Sequence, residues 1–175
     1  MTNDPSNTEI KWQGKFLRVI KQGRWEYADR VGSTGAVAIV AITADRKLVL
    51  TEQYRIPVGC RVIELPAGLA GDIPNEELED MATAARRELE EETGYDAKEM
   101  KLLTSGPPSA GLASEIVTFF KATELRRVHA GGGLEHEQIV VHEVAIDQLE
   151  SWLRARSAEG ILVDPKVFAG MYFLR

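Results

Sequence analysis

Two carboxylates four residues apart on a helix can share one cation, and a single stretch of this chain is crowded with them. Between Glu76 and Glu99 stand Glu76, Glu77, Glu79, Asp80, Glu88, Glu90, Glu91, Glu92, Asp96 and Glu99, opposed by Arg86, Arg87 and Lys98. That stretch is net −7 in a chain whose total is −6, so the remainder sums to +1. Leu78, Met81, Ala82, Ala85 and Leu89 recur at helical spacing and define an apolar stripe. At about 100° per residue, Glu92 falls ~40° from the middle of that stripe and Glu88 ~80° from it. The two are i, i+4, one above the other. Carboxylates stacked at the edge of a buried face repel each other and lose hydration. Either one takes a proton or a cation neutralises the pair. Glu91 sits further round, at the rim, and Arg87 points away, free to brace a neighbouring loop. Glu76, Glu77 and Asp80 suit the positive end of the helix, and Glu90 faces solvent. A solvated acidic face is the alternative reading of such a run. The place of Glu88 and Glu92 beside the stripe favours the cation. Oxygen-only donors suit Mg2+ or Mn2+ over zinc.

The elements around that helix follow from local pattern. Asn75 reads as the N-cap of a helix from Glu76 to about Thr93, stopped by Gly94. The first nine residues read as a frayed end. Lys15–Ile20 and Arg24–Asp29, joined by Lys21-Gln22-Gly23, read as a hairpin. Ser33–Thr43, small and β-branched, reads as a strand buried on both faces, and Lys47–Gln53 as its return. Arg61–Leu65 is a short strand running into Pro66-Ala67-Gly68. Met100–Ser105, Glu115–Ala122 and Gln138–Val144 are further strands, and Asp147–Arg156 and Pro165–Leu174 closing helices. The Gly131-Gly132-Gly133 run reads as a flexible loop. The class is α/β (α+β), built around a mixed sheet.

Composition narrows the function. The 175 residues suit one domain with a small annex, and 44% hydrophobic with 27% charged residues is a globular balance. One cysteine, Cys60, excludes a disulfide framework within the chain and points to the cytoplasm. The longest apolar run, Ala36 to Ile42, is too short to span a bilayer, and the polar start does not read as a signal peptide. An acidic surface does not attract nucleic acid or anionic membrane by bulk charge. His129, His136 and His142 form no metal-ligand spacing, and Cys60 lacks a nucleophile's partners.

Arg87-Glu88-Leu89-Glu90-Glu91-Glu92-Thr93-Gly94 resembles the R-E-U-x-E-E-x-G core of the Nudix hydrolases, where U is apolar. Glu79 stands where that family has its upstream Glu, and Gly68 resembles the Gly that opens the box. There are two departures. Ten residues separate Gly68 from Glu79 where the family has five, and Tyr95 replaces an aliphatic residue. Glu52-Gln53-Tyr54-Arg55, Glu64–Gly68, Gly106–Glu115 and Glu135–Glu143 extend the resemblance to the ADP-ribose and nucleoside-diphosphate-sugar pyrophosphatase branch. Pro107 and Pro108 add weak support, falling slightly closer to the box than that branch's proline.

The resemblance implies a Nudix fold, a mixed β-sheet sandwiched between helices. It also implies an N-terminal antiparallel strand region over residues 1–32, before a Nudix domain over 33–175. Members of the branch are typically homodimers that exchange this region. The implied reaction is metal-dependent hydrolysis of the diphosphate bridge in a small-molecule nucleoside diphosphate substrate, with two or three Mg2+ or Mn2+ ions per site. ADP-ribose would give AMP and ribose 5-phosphate. By similarity, Glu88 and Glu92 are the main metal ligands, Glu91 assists, and the Ala67 carbonyl supplies a backbone oxygen. Glu137 resembles the catalytic Glu, as base or further metal ligand, with Glu135 its competitor two residues away. Arg55 resembles a phosphate- or ribose-contacting arginine, Glu115 a substrate-side residue, and Glu64 a supporting partner. Trp12, Phe16 and Trp25 suit base stacking across a dimer interface or, more simply, packing in the core or at an interface. A non-hydrolysing nucleotide sensor and an enzyme for another nucleoside polyphosphate are the competing functions.

Overall fold

The computed structural model describes residues 8–72, 79–133 and 138–174. Three strands come first: β1 (Thr8–Gln13), β2 (Leu17–Gln22) and β3 (Trp25–Arg30), forming one antiparallel sheet. Thr8 and Glu9, expected in a frayed end, pair with β2 instead; residues 1–7 lie outside the described residues. Gly23, with φ 59°, makes the β2–β3 turn.

The main sheet holds β4 (Gly35–Ile42), β5 (Lys47–Arg55), β6 (Cys60–Glu64), β7 (Ala67–Ala70), β8 (Tyr95–Gly106), β9 (Val117–Arg127), β10 (Val140–Ala145) and β11 (Leu162–Val163). It is mixed: β4–β9 and β6–β11 are parallel, the other pairs antiparallel. Helices α1 (Met81–Thr93), α2 (Leu149–Ala158) and α3 (Pro165–Met171) cover it. Strand β4 shows how. Ala36, Ala38 and Val40 pack in the cluster containing Leu149, Leu153 and Val167, while Val37, Ile39 and Ala41 pack with Ala84, Ala85 and Leu89. A strand buried on both faces reads as a continuous apolar run, as Ala36–Ile42 does.

The sheet forks, and the fork makes room for a site. β4 and β5 pair at Ala41↔Val49 and Ile42↔Leu48, and then part. β4 continues along β7, with Ala38 opposite Ala67, while β5 continues along β6, with Thr51 opposite Glu64. Pro66 lies between β6 and β7. It has no N–H to give, and its carbonyl accepts from the Ile39 N–H at 2.8 Å.

Helix α1 starts later than the acidic pattern implies. Asp80, not Asn75, is the N-cap: its carboxylate accepts from the Ala82 and Thr83 N–H groups at 3.0 and 3.1 Å. Glu79 and Asp80 precede the first helical residue, so a start at Glu76 is excluded; Asn75 and 76–78 lie outside the described residues. Gly94 ends the helix in the left-handed region at φ 73°. The Gly131–Gly133 run is not a free loop either. Its Gly132 and Gly133 N–H groups donate to the Glu92 and Glu91 carbonyls at 2.8 and 3.1 Å, closing the C-terminus of α1.

β8 and β9 run longer than expected: Tyr95, Ala97 and Leu125 of their outer halves pack with the α1 cluster, and the same halves carry exposed polar pairs such as Lys98–Glu124 at 2.9 Å. The N-terminal sheet docks through Ala28, which exchanges backbone bonds with Leu112 and Ser114. No helix among the described residues is long and apolar enough to cross a membrane.

Candidate active site

Where β4 and β5 part, a cleft of about 340 Å3 opens. It gathers Arg55 from β5, Glu64 from β6, Ala67 from β7, Glu88 and Glu92 from α1, and Glu115 from the loop before β9. Six of the residues singled out in the sequence therefore share one cleft. Glu91 does not line it. Its side chain is 41% exposed, beside Arg87 at 3.4 Å. Glu135 and Glu137 lie outside the described residues.

Helix geometry turns Glu88 and Glu92 toward β7. The Glu92 Oε2 accepts from the Ala67 N–H at 3.0 Å, and the Glu88 Oε1 from the Leu69 N–H at 3.3 Å. Gly68 lies between those two donors, and a Cβ there would fall on the Glu88 carboxylate. The glycine is needed for close approach, not for its φ. Arg87 fastens the helix to the same strand. Its guanidinium donates to the Leu69 carbonyl at 2.9 Å and reaches Glu79, Asp72 and Glu88 at 3.1, 3.3 and 2.8 Å.

Burial pushes Glu88 up to about 7 even though Arg87 pulls it down; Glu91 and Asp72 add to the rise. Arg55 moves up from its ordinary value. Burial opposes that shift, and the Glu64 carboxylate at 2.7 Å outweighs it, with Glu92 and Asp164 adding to the rise. Glu115 pairs with Arg30, a residue of β3.

The chemistry of the donor set fits a hard divalent cation in part. Glu88 and Glu92 offer carboxylate oxygens to one cleft, with no sulfur or imidazole beside them. Among the described residues, however, no three acidic, histidine or cysteine side chains converge into a ready cage. The pair can serve as two ligands, and further oxygens must come from elsewhere.

Sequence reading missed Arg30, Gln53, Asp72 and Lys166 in the cleft wall. Gln53 had a signal, standing two residues before Arg55 on a strand and hence on the same face. Arg30 and Lys166 had none, since they come from distant segments. Tyr95 is explained by its hydroxyl, which donates to Glu143 at 2.6 Å while the ring stays buried. His142 is more than a plain strand residue: its Nε2 lies 2.8 Å from the Glu52 carboxylate.

The model of the NUDIX domain matches residues 32–164, which include the fork and the whole acidic helix. This chain belongs to the Nudix hydrolase family. Its relatives by sequence include a methanol dehydrogenase activator of Bacillus methanolicus, 32% identical over 96% of this chain and 90% of that one. An ADP-ribose pyrophosphatase of Bacillus subtilis is 34% identical over 78% of this chain and 72% of the relative. A solved ADP compounds hydrolase shares the Nudix fold at TM-score 0.63, with 22% identity, over 83% of this chain and 80% of that structure.

Proposed function

We propose that this Nudix protein hydrolyses the diphosphate bridge of ADP-ribose or a nucleoside diphosphate sugar, giving a nucleoside monophosphate and a sugar phosphate. The observation that carries the reading is the meeting of Glu88 and Glu92 with Arg55 in one cleft, where a sheet fork leaves room for a substrate. The 34% identity to a named ADP-ribose pyrophosphatase supports the substrate class.

Glu88 and Glu92 would hold Mg2+ or Mn2+, with Glu91, the Ala67 carbonyl and Glu137 as further oxygen donors to two or three ions. Bound there, the metal supplies Lewis-acid stabilisation of charge on the phosphate oxygens. The chain's own residues do the rest. Arg55 exchanges part of its bond to Glu64 for a phosphate or ribose oxygen, a task its forked guanidinium suits. Glu115 lines the substrate side of the cleft. Glu137, with Glu135 as its competitor, takes the proton of the attacking water. Arg87 keeps α1 in place against β7.

Residues 1–32 act as a dimerising region ahead of a catalytic unit of residues 33–175, and the protein works as a homodimer in the cytoplasm. Support comes from the separate N-terminal sheet and its exposed Ile10, Trp12, Phe16 and Trp25. The net charge of −6 gives no bulk attraction to nucleic acid or membrane.

The name of the Bacillus methanolicus relative favours one second reading, a nucleotide-sensing protein that acts through a partner. A panel of ADP-ribose, a GDP-sugar, a dinucleoside polyphosphate and a nucleoside triphosphate, assayed with Mg2+ for phosphatase-sensitive product, separates the two. Turnover of the diphosphate-linked sugars is expected. Absence of product across the panel would replace hydrolysis with sensing.

A further inference from the structure

A second cleft, of about 550 Å3, lies against the first, and the two share Val117 and Lys166 as common walls. Its character differs from that of the acidic cleft. Thr104 and Ser105 bring hydroxyls, Gly106 a backbone, and Pro107, Pro108 and Phe119 apolar surface. Its charged wall residues are Asp164 and Lys166, which are paired with each other.

Lys166 is built into this position. β11 pairs in parallel with β6, Leu162 opposite Val62 and Val163 opposite Ile63. The Asp164 N–H continues the ladder to the Ile63 carbonyl at 2.9 Å. Asp164 then caps α3, its carboxylate accepting from the Lys166 N–H at 2.7 Å and pairing with the Lys166 ammonium. The residue after Ile63 is Glu64, the partner of Arg55. The Lys166–Asp164 and Arg55–Glu64 pairs therefore hang from one stretch of β6. The Lys166 side chain is 26% exposed, and the residue lies beyond the 32–164 span of the family match.

A nucleoside diphosphate sugar is a doubly charged bridge between two neutral groups. Carboxylates and arginine in the first cleft suit the bridge. The second cleft, with apolar ring surfaces and hydroxyls but no unpaired charge on its walls, suits a sugar ring, whose C–H faces pack on apolar groups while its hydroxyls find polar partners. An ammonium on the partition meets the phosphate at the sugar end, where a compact point charge replaces one carboxylate partner by another anion. We propose that the cleft beyond Lys166 holds the sugar half of the substrate, and that Lys166 binds the phosphate carrying that sugar. The proposal rests on the diphosphatase reading above.

Three measurements test it. K166M is expected to raise KM for ADP-ribose at least about tenfold with kcat changed less than about threefold, as loss of one charge-assisted contact requires, and K166R to recover most of the loss. The exposed Ala169 lines the second cleft, so A169F fills it. That variant is expected to lower the ratio of kcat/KM for ADP-ribose to kcat/KM for the P2-methyl ester of ADP at least about tenfold, because the ester has no sugar beyond its second phosphate. Calorimetry with α,β-methylene ADP-ribose, which needs no turnover, is expected to show K166M binding at least about tenfold more weakly. An unchanged KM and analogue affinity in K166M, or an unchanged substrate ratio in A169F, overturns the inference. If the wild-type protein turns over nothing in the substrate panel, the hydrolytic function fails, and the analogue affinities still decide whether Lys166 binds the anion.

Discussion

Gly68 and Glu88 solve a crowding problem together. The carboxylate occupies the space a Cβ would take, so a helix side chain reaches the β7 backbone directly. Glu92, four residues on, is buried to 6% exposure and held by the Ala67 N–H. Glutamine in its place keeps the shape and the acceptor but loses the charge. E92Q should therefore keep its circular dichroism spectrum, lose turnover by about a thousandfold or more, and bind Mg2+ more weakly by titration calorimetry. An active E92Q enzyme would remove Glu92 from the metal set. For the base, E137Q should lower kcat by about a hundredfold or more while leaving KM within about threefold. A larger kcat loss in E135Q would transfer the role to Glu135.

At the scale of elements, α1 is fixed at both ends and along one side. Asp80 closes its N-terminus, Gly94 and the Gly132 and Gly133 amides close its C-terminus, and Arg87 ties it to β7. The glycine run thus lies against the turn that carries Glu91 and Glu92. The Asp80 cap is local, and Asp80 is not among the cleft's wall residues. D80A should lower the melting temperature by about 3 °C and leave kcat/KM of the folded enzyme within about twofold. A calorimetric scan and an initial-rate assay check both halves.

The whole molecule is bound by an ion cluster away from the cleft. Glu52 on β5 meets Arg61 of β6, His142 of β10 and Arg156 of α2, so four elements converge on one buried carboxylate. Burial works to raise its pKa, but these partners outweigh burial and hold it at about 2, below the usual 4.5. A depressed carboxylate contributes fully above its unfolded value and loses that contribution as pH falls toward its folded one. Wild-type stability should therefore drop between pH 4.5 and 2. E52Q should melt lower by roughly 5 °C or more at pH 7 and show a flatter acid limb, in denaturation series across that range. At the same scale, W12A combined with F16A should shift sedimentation from dimer to monomer if the exposed N-terminal sheet is the contact between copies.

How much of this was legible depends on the range of the interactions. The period of the acidic segment placed Glu88 and Glu92 beside the apolar stripe without tertiary information, because helical spacing is local. The alternation-free run Ala36–Ile42 likewise announced a strand covered on both faces. The helix start was misread because Asn75 and Asp80 are both acceptable N-caps, and only the chain path shows which side chain meets the free amides. Arg30 and Lys166 were invisible, since nothing within a few residues of either marks a cleft. Sequence alone determined the family, the mixed α/β class and the acidic helix face. Only the tertiary structure decided which cations stand opposite that face. Strand pairing across a hundred residues, β6 with β11, brings Lys166 there, and no local period encodes such a pairing.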